Sequence, residues 1–351
     1  MAHVTHEDIA LAAGVSKATV SLALRGHPKI PELTRKKILE TATRLGYVAD
    51  PWMRSLARHR WQSDKEEHDP VVVFLHGQSH QSTDPFAIPT HIYGRHYHAV
   101  ELASQRLGYK TLAINFRAYS QYDALNRMLV ARGLHEIVLA PVREPTDILN
   151  KMQWDGFHVV SMGGSIYPVP FHKVDLGVFQ SIKLVMHTSC QRGYRRIGLA
   201  LPRHGDNDVD FQRRMGAYLI LQQETIPVQD RLAPHIMEAG AERIEPFTRW
   251  INEQEPDVVI GLTGLVGYWM TSLGFTPERC GFVSLVKSDV EPEHYTSIVR
   301  NDIRVAEVVL KTLAGLREAS ERGIPKDAHR TTISPEWFEG NTLPYKGICL
   351  V

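Results

Sequence analysis

The stretch that most constrains this chain is residues 5–56, THEDIALAAGVSKATVSLALRGHPKIPELTRKKILETATRLGYVADPWMRSL. Thr5 followed three residues later by Asp8 is a capping-box pattern, in which a hydroxyl accepts from an orphan helix N–H while a carboxylate reaches back. It predicts a first helix with Ile9, Ala10 and Ala13 on one face. Gly14-Val15 breaks that helix, and Ser16 is placed to cap a second one running to about Arg25. Two short helices joined through a glycine turn make a helix-turn-helix, whose second helix meets base edges with its first residues. Those residues are Lys17 and Ala18, with Ser21 and Leu22 one turn on. Val15, Val20 and Leu24 form the apolar set that holds the helix, whereas Ser16, Lys17, Thr19 and Ser21 can donate to phosphates or bases. Residues 31–45 read as a third helix, with Ile38, Leu39, Ala42 and Leu45 inward and Arg35, Lys36 and Lys37 outward, ended by Gly46.

Charge separates this head from a purely structural three-helix bundle. Residues 1–60 hold ten Lys and Arg against five Asp and Glu, net +5, while the remainder holds thirty against thirty-four, net −4. A near-neutral total thus hides a basic head on a mildly acidic body, the asymmetry of a nucleic-acid reader.

The order Val-Thr-x-x-Asp-Ile-Ala at 4–10, Ala-Gly-Val-Ser at 13–16, Thr-Val-Ser at 19–21, Thr-Arg at 34–35, Leu-Gly-Tyr at 45–47 and Arg-Ser-Leu at 54–56 resembles the head of the lactose/galactose-repressor family of bacterial transcription regulators. The similarity runs ungapped over about sixty residues and includes polar positions. It implies DNA-binding roles for Thr5, Ser16, Lys17, Ala18, Thr19, Ser21, Leu22, Thr34, Met53 and Leu56. Residues 50–58, with Asp50 able to cap and Pro51 at the first helical position, are too few to stay helical alone. The resemblance makes them a hinge helix that forms in pairs in the minor groove, with Leu56 wedged between two central base pairs. Met53 stands where the family usually has alanine, and Leu22 where a polar or basic reader is common, which favours contact with a thymine methyl.

A chain of 351 residues has room for a further body of one or two domains, and 43% hydrophobic with 23% charged residues is an ordinary globular composition. No apolar signal core and no membrane-length apolar run occurs, so a cytoplasmic location is expected. Cys190, Cys280 and Cys349 are scattered and odd in number, which points to neither a disulfide framework nor a C-x-x-C site. Residues 61–70, WQSDKEEHDP, read as a linker.

Beyond the linker, strand-like and helix-like runs alternate. Strands are expected at 71–75, 111–115, 137–140, 159–162, 197–201, 258–261 and 282–285, and helices at 96–107, 123–132, 179–191, 213–223 and 247–252. Such alternation implies parallel βαβ units, here repeated as two similar lobes. The body also resembles the family's effector domain, which has the two-lobed fold of periplasmic sugar-binding proteins. The supporting segments are Gly108-Tyr109, residues 192–198, residues 256–260 and residues 323–325. The expected architecture is therefore an N-terminal all-α helix-turn-helix head with hinge helix at 1–60, a linker at 61–70, and a two-lobed α/β periplasmic-binding-protein-like domain at 71–351. The first lobe is expected at about 71–160 plus 297–325, and the second at about 161–296 plus 326–351.

In open α/β sheets a ligand lies outside the carboxyl ends of the strands, which places it between the lobes. The resemblance supports an effector site only in part. Asp84-Pro85-Phe86 is a counterpart of the family's Asn-Pro-Phe loop, and Phe86 can stack on a sugar or close the core. Arg213 matches the family's effector-binding arginine, with Arg214 beside it as the alternative inward residue. Where the family offers Asn-Asp, this chain has Leu262-Thr263-Gly264, and where it offers an acid, Leu285-Val286-Lys287. Phe86, Arg213, Asp84, Thr263 and Trp269 are the effector candidates, with His172, Asp206, Asn207 and Asp208 further polar groups in reach.

Three other functions compete with this reading. Gly261-x-x-Gly264-x-x-Gly267 is not the dinucleotide spacing, 162–165 lacks the nucleophile elbow and no P-loop occurs, which argues against an enzyme. Of the eighteen histidines, His76, His80, His91, His96 and His98 lie near one another, but His96 and His98 diverge on a helix and no acid or cysteine completes a metal set. The third rival is a DNA-binding regulator that answers to a protein partner or to no effector. The expected function is an effector-controlled regulator, repressor in type, with no cofactor. Its expected partners are double-stranded DNA carrying a palindromic operator, a carbohydrate-like small molecule and a second copy of the chain, with no membrane.

Overall fold

A computed structural model describes residues 6–24, 30–45, 71–78, 84–142, 147–164, 170–205, 208–287 and 294–347. The chain divides into two compact units, Met1–His68 and Asp69–Val351.

The first unit contains α1 (His6–Ala13), α2 (Lys17–Leu24) and α3 (Glu32–Leu45). Ile9, Ala10, Ala13, Val20, Ala23, Ile38 and Ala42 form its core, with Val15, Ile30 and Leu45 packed at the edge. Gly14 takes φ +70°, a left-handed conformation that L side chains rarely adopt, and this lets the Val15 amide reach back to the Ala10 carbonyl at 3.1 Å. Leu39, expected inward, is 44% exposed. The buried stripe of α3 runs through 38, 42 and 45, an i, i+4, i+7 set, and position 39 falls one step off that face. Thr5 and the hinge residues 50–58, including Met53 and Leu56, lie outside the described residues.

The second unit holds two six-stranded sheets. The first is ordered β11-β5-β4-β3-β1-β2, from β1 (Val71–His76), β2 (Lys110–Asn115), β3 (Glu136–Leu139), β4 (His158–Met162), β5 (His172–Leu176) and β11 (Arg330–Ile333), all parallel. The second is ordered β12-β10-β9-β8-β6-β7, from β6 (Ile197–Arg203), β7 (His235–Glu238), β8 (Val258–Gly261), β9 (Gly281–Ser284), β10 (Ser297–Val299) and β12 (Glu336–Phe338), with only β12 antiparallel. Parallel strands must be buried on both faces, which is why 71–75 is continuously apolar.

One face of the first sheet packs α4 (His91–Arg106) and α11 (Asp302–Ala319), through Val100, Val309 and Leu313 against Phe74 and Val160. The other face packs α5 (Tyr122–Ala131) and α6 (Asp147–Lys151), through Leu125, Leu129 and Leu149. In the second sheet, α7 (Val178–Gln191) and α8 (Val209–Thr225) cover one face, and α9 (Ile244–Gln254) and α10 (Gly264–Ser272) the other.

The chain crosses between sheets three times, between β5 and α7, between β10 and α11, and between β11 and β12. These crossings differ from the expected lobe limits. β5 at 172–176 belongs to the first sheet although the second lobe was expected to start at about 161; β10 at 297–299 belongs to the second, and β11 at 330–333 to the first. The cause is local. His-Lys-Val-Asp-Leu carries charge on a strand whose partners bury it, and a three-residue strand such as β10 has no readable period. Asn301 and Glu336 tie the second and third crossings together through an Nδ2 to Oε1 hydrogen bond of 2.7 Å.

Candidate functional site

In the head, Ser16 is the N-cap of α2, its Oγ accepting from the Thr19 amide at 3.1 Å, and its hydroxyl also lies 2.8 Å from Thr19 Oγ1. That cap fixes where the helix begins, and so presents Ser16, Lys17 and Ala18 together as exposed residues at its N-terminus. Lys17 Nζ is 3.3 Å from Glu7 Oε2, an exposed pair that a competing phosphate can replace at little expense. Thr19, Leu22 and Thr34 are half-buried. Ser21 is on α2, but its side chain lies outside the described residues.

In the body, the carboxyl ends of the two sheets enclose a cavity of about 240 Å³. Its first-lobe wall comes from Arg95 and His96 on α4, Met162 to Gly164 after β4, and Asp175 and Leu176 at the end of β5. Its second-lobe wall includes Pro202, His204, Asp208, Asp210, Arg214, Leu262, Thr263, Leu285 and Val286, and Arg300 and Asp302 reach it from the second crossing. Thr263, an effector candidate, and Asp208, one of the further polar groups, both line the cavity. Of the arginine pair, Arg214 lines the cavity, while Arg213 Nη1 points to Asp210 Oδ1 at 3.4 Å.

The other candidates sit elsewhere. Asp84 Oδ1 accepts from the Phe86 amide at 2.9 Å, and Phe86 packs on the core of the first lobe with the Arg132 guanidinium 4.9 Å from its ring centre. The loop thus takes the core-closing use of the aromatic ring. Trp269 packs in the second lobe against Phe247, ring centres 5.5 Å apart. His172 begins β5, at the far end of the strand from the cavity, with Nε2 at 3.2 Å from Glu321 Oε1. Asp206 and Asn207 lie outside the described residues.

The acids around the cavity are each engaged. Arg330 forks onto the buried Asp175, with Nε donating to Oδ1 at 3.0 Å and Nη2 to Oδ2. Burial pushes the Asp175 carboxyl up, and Arg330 only partly opposes it. Asp208 caps α8, accepting from the Phe211 amide at 2.9 Å and from the His204 amide at 3.1 Å, and its Oδ2 is 3.1 Å from His204 Nδ1. Burial pushes that carboxyl up, but the His204 side chain and these two amides outweigh it and hold it at about 2. Asp302 accepts from Arg300 Nε at 3.2 Å, and Arg300 Nη2 donates to His96 Nε2 at 2.6 Å, so His96 accepts there as a neutral imidazole does.

Among the described residues, Asp210 of the second lobe approaches the first across the cavity. Arg330 Nη2 lies 4.0 Å from Asp210 Oδ1, and a Cβ placed on Gly164 would meet Asp210 Oδ2 at 1.8 Å. A side chain at 164 would require the Asp210 carboxylate to turn aside. Arg95, Asp175, Asp210, Arg300 and Asp302 carried no signal in the sequence, and His96 and Gly164 bore only on a metal set and a nucleophile elbow. Gly164, Asp175, Arg300 and Asp302 share a position at strand ends and crossings, which requires knowing that β5 and β10 exist, whereas Arg95, His96 and Asp210 lie near the N-terminal ends of α4 and α8.

Among the described residues, no group of three His, Cys, Asp or Glu side chains could hold a metal ion, and no helix is long and apolar enough to cross a membrane.

The chain thus combines a helix-turn-helix head with a two-lobed α/β body that holds a polar cavity between its two sheets. Residues 5–50 match the family model described as bacterial regulatory proteins, lacI family. Catabolite control protein A of Priestia megaterium is 49% identical over 55 residues, 16% of this chain and 17% of that protein, so the chain is matched to only about a sixth of this relative's length. Over nearly the whole chain the fold is similar to that of the lac repressor dimer bound to operator and the anti-inducer ONPF, with TM-score 0.56 and 13% identity, covering 98% of this chain and 100% of that one. A LacI family transcriptional regulator from Enterococcus faecium with bound ribose matches with TM-score 0.57 and 14% identity over 79% of this chain and 100% of that one. At these identities the likeness of the body is one of fold.

Proposed function

We propose that this protein is a DNA-binding transcription regulator, repressor in type, which reads a palindromic operator as a dimer under the control of a small, sugar-like effector held between the lobes. The observation that carries the reading is the cap at Ser16, which leaves Lys17 and Ala18 exposed at the start of α2 in a basic, family-matched head. Two heads would read half-sites in the major groove, while paired hinges carrying Leu56 would wedge the minor groove between them. The cavity supports effector control, because ligand contacts drawn from both lobes would favour one interlobe arrangement over another.

Selection of random duplex DNA by the purified full-length protein, in parallel with Leu56→Ala, tests this. The expected result is a palindrome with a central pyrimidine–purine step, relaxed in the variant, whose specific affinity falls much more than its non-specific affinity. No enrichment of any sequence would refute sequence-specific binding. Equal loss of specific and non-specific affinity would refute the wedge alone.

A further inference from the structure

We propose that the ligand of the interlobe cavity is a small hydroxylated organic acid whose carboxylate is held by Arg95; this rests on the reading of that cavity as the effector site. The argument is one of charge matching. The cavity presents four aspartates, and each already has donors: Asp175 has the Arg330 fork, Asp208 the α8 cap and His204, Asp210 has Arg213, and Asp302 has Arg300. Arg300 is also engaged by His96, and Arg214 has contacts of its own. Arg95 is half-buried, lines the cavity, and makes no hydrogen bond, ion pair or ring contact among the described residues. A guanidinium carries five donors and cannot shed its charge, so a partly desolvated one left unmatched calls for an anion.

The rest of the wall narrows the anion. The loop ends after β8 and β9 offer Leu262, Leu285 and Val286 rather than carboxylates, and the four aspartates of the wall already accept from arginine, histidine or backbone donors, so a neutral polyol would find no uncommitted carboxylate among the described residues of the wall. A single unengaged fork suits the two oxygens of one carboxylate, whereas a phosphate dianion asks for more donors. The cavity of about 240 Å³ lies below the ~300–1,000 Å³ usual for drug-sized ligands, which limits the ligand to about the size of a single sugar. Ser181 and Thr263 supply hydroxyls for a polar edge of that body, so sugar acids combine the required features.

The test is calorimetric titration of the full-length protein with matched pairs: D-gluconate and D-glucitol, D-glucuronate and D-glucose, D-galacturonate and D-galactose, with glucose 6-phosphate as the phosphate arm. The same ligands are run on Arg95→Gln and Arg95→Lys, whose unfolding temperatures report that they are folded. At least one acid is expected to bind well above its neutral counterpart. Arg95→Gln is expected to weaken that acid by about thirtyfold, and Arg95→Lys by less, as loss of a charge-assisted pair requires. A neutral sugar that binds as well as its acid, or an acid indifferent to Arg95→Gln, overturns the proposal. So does an Arg95-dependent preference for the phosphate, or failure of every acid to bind. Thr263→Trp, which fills the cavity, separates the two levels of the argument. If it abolishes the binding of a neutral sugar, only the acid is refuted; if binding of any ligand survives it, the cavity is not the effector site.

Discussion

Removing Arg330 is the sharpest test of how the first lobe is held at the cavity. Its guanidinium forks onto Asp175, whose residue is 2% exposed, and also approaches Asp210 of the other lobe at 4.0 Å. Arg330→Ala therefore leaves a buried carboxylate without its cation, a change that typically destabilises by about 3–5 kcal/mol. The carboxylate lies on a cavity that water can enter, so we take the lower end, about 3 kcal/mol. For a unit of this size that corresponds to a fall of about 6–10 °C in Tm. The pH dependence has a definite sign. Burial already raises the Asp175 pKa above its unfolded value, and losing Arg330 raises it further. The folded state then binds a proton that the unfolded chain has released, so the penalty is full at neutral pH and shrinks as pH falls through the raised folded value. Thermal unfolding of Arg330→Ala and wild type at pH 7.5 and pH 5 measures both quantities, and Asp175→Asn in the Arg330→Ala background is expected to recover much of the loss. A gap under about 1 kcal/mol at pH 7.5, or one that widens on acidification, would refute the reasoning.

Further outcomes are expected elsewhere in the molecule. His76 is buried at the end of β1 and its pKa is pushed down to about 4 by that burial, so the unfolded chain binds more protons between pH 6.5 and 4 and stability falls as pH drops through that window. Going from pH 7 to pH 5 is expected to weaken the body by about 2 kcal/mol, and His76→Leu to remove that part of the acid sensitivity in the same unfolding experiment. Ile38→Ala, in the fully buried centre of the small head, is expected to destabilise it by about 2–5 kcal/mol, abolishing DNA binding while ligand titration of the body is unchanged. Ser16→Ala removes the cap of α2 and is expected to weaken the head by about 0.5–2 kcal/mol, read as a lower first transition in thermal unfolding.

The head was legible because its signals are local. A capping hydroxyl at Ser16, a left-handed glycine at Gly14 and an apolar stripe of helical period each act over a few residues, so the pattern and the structure coincide there, except at Leu39, where one residue of phase decides burial. The strands that bury both faces, such as β1, were equally plain. What escaped was whatever depends on a distant partner. β5 reads as polar until Arg330, 155 positions away in the chain, neutralises Asp175. Phe86 was expected to stack on a ligand or to close the core, and it packs with the Arg132 side chain on the core of the first lobe. Arg95 and His96 lie on a helix whose pattern announces amphipathicity but not which turn faces a cleft.

A ligand shifts an interlobe equilibrium only by binding its alternatives unequally, and the groups around this cavity divide in a way that permits it. Asp210 approaches Gly164 and Arg330 from the opposite lobe, and Arg300 at the second crossing holds His96 of α4. These contacts already favour the approached arrangement without a ligand, so an occupant that merely fills space would add little preference. An occupant that bridges Arg95 of the first lobe with Thr263 or Arg214 of the second would add stabilisation found in that arrangement alone. Gly164→Ala separates the two contributions. Its methyl must displace the Asp210 carboxylate, which weakens the preference of the empty protein while leaving Arg95 and Thr263 in place. Ligand affinity is then expected to fall in proportion to the fraction of molecules that still rest in the competent arrangement, by at most about threefold to thirtyfold for a lost bias of about 0.6–2 kcal/mol. The DNA response to saturating ligand should grow by the same factor, since the two effects are linked. Titration of ligand and of operator on Gly164→Ala measures both; a fall in affinity with no gain in response would mean that the lobes do not transmit occupancy to the head.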